Sequence, residues 1–210
     1  PTDTAVSTYA LIRDETAERK AATFLLGDNL ERTTQGGGIY TYTSQQGAAA
    51  FRDTGSFDAA GSLSQENAEA FCRDFCKAFS YDTPIFTLDE TGSGTATAVR
   101  LWNGTPVFNA AVTFTIDQGR VLSASGALLP EAGAETSSGQ KPLSAFAALT
   151  AFQQMRHASS SVVSSITEVS LCYELQSTTA APMALVPSWR IVTDTATFYV
   201  NCISGTVRRA

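Results

Sequence analysis

Apolar residues recur along this chain with a helical period and a strand period in turn, and the succession predicts its elements. Ala17, Ala21, Phe24 and Leu25 share one helical face, and Gly27 stands where a helix C-terminus favours the left-handed conformation. Residues 39–43 are β-branched and aromatic and predict a strand, Gln45-Gln46-Gly47 a turn, and residues 48–52 with Phe57 further strands around Asp53-Thr54-Gly55. A second helix is predicted from Ser62 or Ser64, where Ser62 and Gln65 fit a capping box, and it should stop by Asp82-Thr83-Pro84. Its stripe of Ala68, Phe71, Cys72, Phe75, Cys76 and Phe79 lies on one face, which puts both cysteines toward the core. After Gly92-Ser93-Gly94, residues 95–102, 105–116 and 120–129 read as a meander turned by Asn103-Gly104 and Asp117-Gln118-Gly119, with Pro106 marking an edge or a bulge. Residues 130–140 lack any apolar period and read as an exposed linker. Pro142 then suits the first turn of a third helix, whose stripe includes Phe146, Leu149 and Phe152 and runs to about Met155. Strands at 166–175, 187–193 and 197–203 close the chain.

Helix followed by antiparallel meander thus occurs three times, at 1–61, 62–131 and 141–210, as separate units or within one compact region. The three share an order of elements and no readable sequence period. The fold class expected is α+β, with helices packed on antiparallel sheets. Composition agrees: only 16% of the 210 residues are charged, against about 25% in average soluble domains, and turn-forming and small residues fill the gap. A net charge of −6 argues against a nucleic-acid partner, which clustered basic charge would attract. No run approaches the roughly 18 to 20 apolar residues of a membrane span.

Few residues invite chemistry. The single histidine, His157, falls at the predicted end of the third helix, where a cation is mildly favoured, and one histidine cannot make a two-histidine metal site. Ser138-Gly139-Gln140-Lys141 matches Ser-x-x-Lys, but that pattern needs a helix to set the amine beside the hydroxyl, and Pro142 keeps Lys141 from helical dihedrals. Cys72, Cys76, Cys172 and Cys202 lack the spacing of a zinc knuckle. Cys172 and Cys202 fall on strands separated by a third, about 10 Å apart at about 4.8 Å per strand, so free buried thiols are expected. Asn103-Gly104-Thr105 fits a glycosylation acceptor, yet the hairpin turn uses the same pair. Strand alternation places Trp189, Ile191 and Thr193 on one face as core, and Arg190 on the other, where Glu174 is an available ion partner. No catalytic, cofactor-binding or metal-ligating residue is assigned.

The C-terminal segment Pro187-x-Trp189-Arg190-Ile191, followed by Phe198-Tyr199-Val200-Asn201 and Ser204-Gly205, resembles the closing part of the YycH/YycI family. Leu25-Leu26-Gly27, Gly38-Ile39-Tyr40-Thr41-Tyr42, Phe51-Arg52-Asp53-Thr54-Gly55-x-Phe57 and Trp102-Asn103-Gly104-x-Pro106-Val107-Phe108 resemble earlier parts of its YycI-like extracellular region. The resemblance implies a bacterial accessory regulator and not an enzyme, displayed on the extracytoplasmic face by an upstream transmembrane helix. It further implies contact with a YycH-like protein and a WalK (YycG) sensor histidine kinase of a two-component system that governs cell-wall metabolism, without a cofactor. Tyr199-x-Asn201-x-x-x-Gly205 is also shared with PepSY-type domains, so the alternative is a PepSY-like extracellular module that inhibits a peptidase or binds a cell-wall ligand.

Overall fold

A computed structural model describes residues 6–64, 67–159, 163–177 and 181–210. The chain is mixed α+β, as the patterning predicts, and divides into two compact units, one of Leu11–Ala132 and one of Gly133–Ala210 with the N-terminal segment up to Ala10.

The unit of Leu11–Ala132 holds two of the three repeats. Helix α1 (Glu15–Leu26) is capped by Asp14 and ended by Gly27 at φ 82°. Strands β2 (Glu31–Gln35), β3 (Ile39–Ser44), β4 (Gly47–Phe51) and β5 (Ser56–Gly61) follow it as an antiparallel meander. Gly47 and Gly61 face each other across β4 and β5, and a Cβ on either would strike the opposing backbone at Ala60 or Gln46. Helix α2 (Ala68–Ala78) is followed by β6 (Ile85–Leu88), β7 (Gly94–Trp102), β8 (Thr105–Asp117) and β9 (Arg120–Ala127), again in consecutive antiparallel order. Strand β5 pairs with β9 and joins the two meanders.

Both helices bury their apolar stripes against these strands. Phe75 and Cys72 of α2 are fully buried in one core with Leu25 and Leu26 of α1, Phe51, Phe57 and Phe114. Aromatic edges meet faces here: Phe24 lies 5.2 to 6.0 Å from Phe71, Phe75 and Phe79, a geometry that adds to area burial. The start of α2 differs from expectation. Asn67 is the N-cap, in the left-handed conformation, and its Oδ1 accepts from Ala70 NH at 3.1 Å, whereas residues 62–64 run non-helical with Leu63 NH bound to Val121 O; Gln65 lies outside the described residues.

In the other unit, α3 (Ala145–Ser159) precedes β11 (Ile166–Gln176), β12 (Met183–Thr193), β13 (Thr197–Asn201) and β14 (Val207–Arg209), a third antiparallel meander. Two expectations are corrected. Residues 130–140 are not all linker: β10 (Ala134–Gln140) pairs with β1 (Val6–Leu11), and β1 neighbours β12. Pro142 precedes α3 rather than starting it, since the Ser144 hydroxyl accepts from Ala147 NH and caps the helix. The buried stripe runs through Ala148 and Phe152 and leaves out Phe146, which is 80% exposed. Among the described residues no helix is long and apolar enough to cross a membrane.

Candidate functional site

Alternation along β7 buries Ala96, Ala98, Arg100 and Trp102 on one face, and the arginine is the exception in an otherwise apolar row. Arg100 is only 2% exposed. The chain leaving α2 folds around it: Ser80, at φ 56°, turns its carbonyl to accept from Arg100 Nη1 at 2.6 Å and from Leu101 NH at 2.9 Å. Arg100 Nη1 also donates to Leu101 O at 2.8 Å, and Nη2 reaches Leu129 O at 3.4 Å. Tyr81 lies 5.7 Å from the guanidinium and sends its hydroxyl to Ala127 O at 2.7 Å. Burial pushes the Arg100 pKa down and the Tyr81 phenol up. Arg100 Nε has no acceptor, and no carboxylate of the described residues makes an ion pair with the guanidinium.

Beside it opens a cavity of about 210 Å³ lined by Arg100, Lys20, Asp14, Phe79, Leu129 and Glu131, among others. It is more enclosed than the two wider clefts of the same unit. Asp14 is committed, its Oδ1 accepting from Thr16 and Ala17 NH at 2.9 and 3.0 Å. Glu131 and Lys20 are exposed at the rim. The arrangement can bind and orient a small polar group. The sequence signal for it was available: an arginine at an inward position of an alternating strand, between Ala98 and Trp102, either carries a hidden partner or awaits one.

The residues singled out earlier do not join this site. His157 is exposed in the last turn of α3. Ser138 lies in β10 and Lys141 follows that strand, so the helical spacing a Ser-x-x-Lys dyad needs is absent. Asn103 and Gly104, at φ 49° and 78°, form the two-residue turn between β7 and β8. Pro106 sits beside an irregularity in that pair. Among the described residues no cluster of three His, Cys, Asp or Glu is positioned to hold a metal.

All four cysteines are free and buried, with β12 between β11, which holds Cys172, and β13, which ends one residue before Cys202. Burial pushes each thiol up to about 12, which leaves it protonated and unreactive at neutral pH. The folded-state pKa lies above the unfolded one, so each thiol supports the fold fully below pH about 9 and ceases to as pH rises toward 12. The unfolding free energy from urea titrations at pH 8 to 11 should fall, approaching a limiting slope of about 1.4 kcal/mol per pH unit for each buried thiol once the pH is above about 9. Replacing Cys72 and Cys76 by alanine should flatten the slope for the unit that holds them.

Charge pairing in the C-terminal meander also differs from expectation. Arg190 meets Glu168 at 2.9 Å, because the register sets Arg190 opposite Ser170 and Glu174 four positions away, opposite Val186. Glu174 is buried and pairs with Arg208 of β14, and its Oε2 accepts from Gln176 at 2.9 Å. Arg208→Ala strands this carboxylate and should cost about 2 kcal/mol, below the fully buried figure because the Arg208 side chain is 56% exposed. Adding Glu174→Gln should recover most of the loss in urea unfolding.

The residues that carried the family resemblance turn out to build the fold. Trp189 donates to Leu143 O at 2.7 Å and packs with Phe152, Ile191 and Phe198. Asn201 Oδ1 accepts from Ile203 and Ser204 NH at 2.8 and 3.0 Å, and Gly205 takes φ 71°, so Tyr-x-Asn-x-x-x-Gly is the chemistry of the β13–β14 turn.

No family model and no curated protein sequence matches the chain, so assignment to the YycH/YycI family has no support from them. Among solved structures, an uncharacterized protein from Eubacterium rectale is similar in fold, with a TM-score of 0.53 and 12% identity over 98% of this chain and 81% of that one. The Bacillus megaterium YpeB C-terminal domain is a more distant neighbour, with a TM-score of 0.42 and 14% identity over 95% of this chain and 98% of that one.

Proposed function

We propose that the chain is a PepSY-like accessory module of the extracytoplasmic space, without catalytic activity of its own, that acts by contact with a partner protein. One observation carries the reading: a helix followed by a four-stranded antiparallel meander occurs three times, and the Tyr-x-Asn-x-x-x-Gly signature shared with PepSY-type domains forms the closing turn of the third. The protonated, buried thiols fit a role without covalent catalysis.

The segments that resemble YycI are the end of α1, turns and strands, and they leave the partner open between a sensor histidine kinase assembly and a peptidase. In either case the module would act by binding one state of the partner better than another and shifting its population. Bacteria lacking the gene, compared with a complemented strain, should show altered output of one sensor kinase pathway or faster processing of one cell-wall peptidase. Unchanged output and processing, with turnover of a substrate by the purified chain, would overturn the proposal.

A further inference from the structure

Arg13 and Arg100 belong to the same unit, and Arg13 shows how a guanidinium edge of this chain is satisfied by a carboxylate. Arg13 presents its Nε and Nη2 edge to Glu18, with Nε–Oε1 at 2.7 Å and Nη2–Oε2 at 2.9 Å. This is the side-on fork by which a guanidinium holds a carboxylate bidentately. Arg100 is as deeply buried as Glu18 or more so, yet its equivalent edge has no acceptor on Nε and only the 3.4 Å contact to Leu129 O on Nη2. A buried cation satisfied by backbone carbonyls alone keeps most of its desolvation cost.

We propose that the cavity beside Arg100 is a receptor for a single carboxylate, an acidic side chain or chain terminus supplied by the partner protein. The inference rests on the protein-contact reading above. Size selects the ligand class: about 210 Å³ is below the range of roughly 300 to 1,000 Å³ typical of small-molecule pockets and suits one side chain. Charge selects its sign. The buried guanidinium of Arg100, which has no ion partner among the described residues, calls for an anion, and Lys20 at the rim adds a second cation, while Asp14 keeps its charge with Oδ1 turned to the two backbone donors it caps. Glu131, exposed at the rim, makes no ion pair with Arg100 and is the acidic lining residue that opposes an entering carboxylate. The Nε of the fork is shielded from solvent in the free chain, so an entering carboxylate has to displace the 3.4 Å contact of Nη2 with Leu129 O, while Nη1 stays held by Ser80 O and Leu101 O.

The Arg100 Nε–H resonance of the isotope-labelled full chain reads this event directly. The probes are a short peptide with one glutamate and an amidated C-terminus, a peptide of the same length with a free C-terminus and no acid, the same peptide amidated, and acetate. The expected result is a saturable shift with one or both carboxylate peptides and none with the amidated control. Glu131→Gln should tighten the response about threefold and Lys20→Ala should weaken it by a similar factor, each being a rim charge of modest worth. Both positions are exposed, so the test does not depend on a substitution of the buried Arg100 itself. Absence of a saturable shift, or a shift unchanged in both rim variants, overturns the site. Acetate binding as tightly as the peptides overturns a partner as the source and assigns a free small carboxylate. Partner capture without any Arg100 shift would fail this inference and leave the module reading intact.

Discussion

Phe75→Ala is expected to lower the stability of the Leu11–Ala132 unit by about 3 to 5 kcal/mol, the cost of emptying a fully buried aromatic site. The ring is the hub of that core, lying 4.6 Å from Phe79, 5.4 Å from Phe114, 5.5 Å from Phe24 and 6.0 Å from Tyr81. Those neighbours come from α1, the segment after α2, and β8, so no single element can move in to fill the void and relaxation will be partial. Phe71, one turn earlier on the same stripe, is only half-buried, and Phe71→Ala should cost clearly less. Urea unfolding of both variants, followed by far-ultraviolet circular dichroism, checks the ranking. Equal costs would mean that α2 packs with a different face inward.

Trp189→Ala should cost the other unit a similar amount, about 3 to 5 kcal/mol. Its indole packs in the core with Phe152, Ile191, Phe198 and Val200 and donates to Leu143 O at 2.7 Å. Trp189→Phe keeps most of the apolar volume and removes the donor, so about 1 kcal/mol of the total should separate as the hydrogen bond. A Trp189→Ala chain that stays stable and folded but loses its partner would show that the ring serves recognition and not packing.

What was legible in the sequence follows from where each element sits. Strands with neighbours on both sides bury alternate residues deeply, and β7 and β8 accordingly announce themselves by alternation. Strands β2, β6 and β10 each have one neighbour, and an edge strand needs no inward apolar row. Glu31–Gln35 is exposed throughout, and Ile85–Leu88 leaves Ile85 and Leu88 exposed, so neither carries a pattern to read. The helices were recognisable by their stripes, while their starts were misjudged because capping is a choice among nearby candidates: Asn67 over Ser62 or Ser64, Ser144 over a start at Pro142. The ion partners of Glu174 and Arg190 depend on register, which alternation alone does not set. Arg100 was hidden for a different reason: a single inward charge in a strand has no motif, and its meaning appears only with the carbonyls of Ser80, Leu101 and Leu129 around it.

The central claim is that this chain works by holding another protein. A photo-reactive residue placed at Lys20, at the exposed rim of the Arg100 cavity, in the full-length protein within its own bacterium, tests it most directly. Mass spectrometry of the irradiated product should show one recurrent protein partner, a sensor kinase assembly or a cell-wall peptidase, joined through a segment that contains an acidic residue or its C-terminus. Capture of wall fragments alone, with no protein adduct from this position or from other exposed positions of both units, would contradict the account.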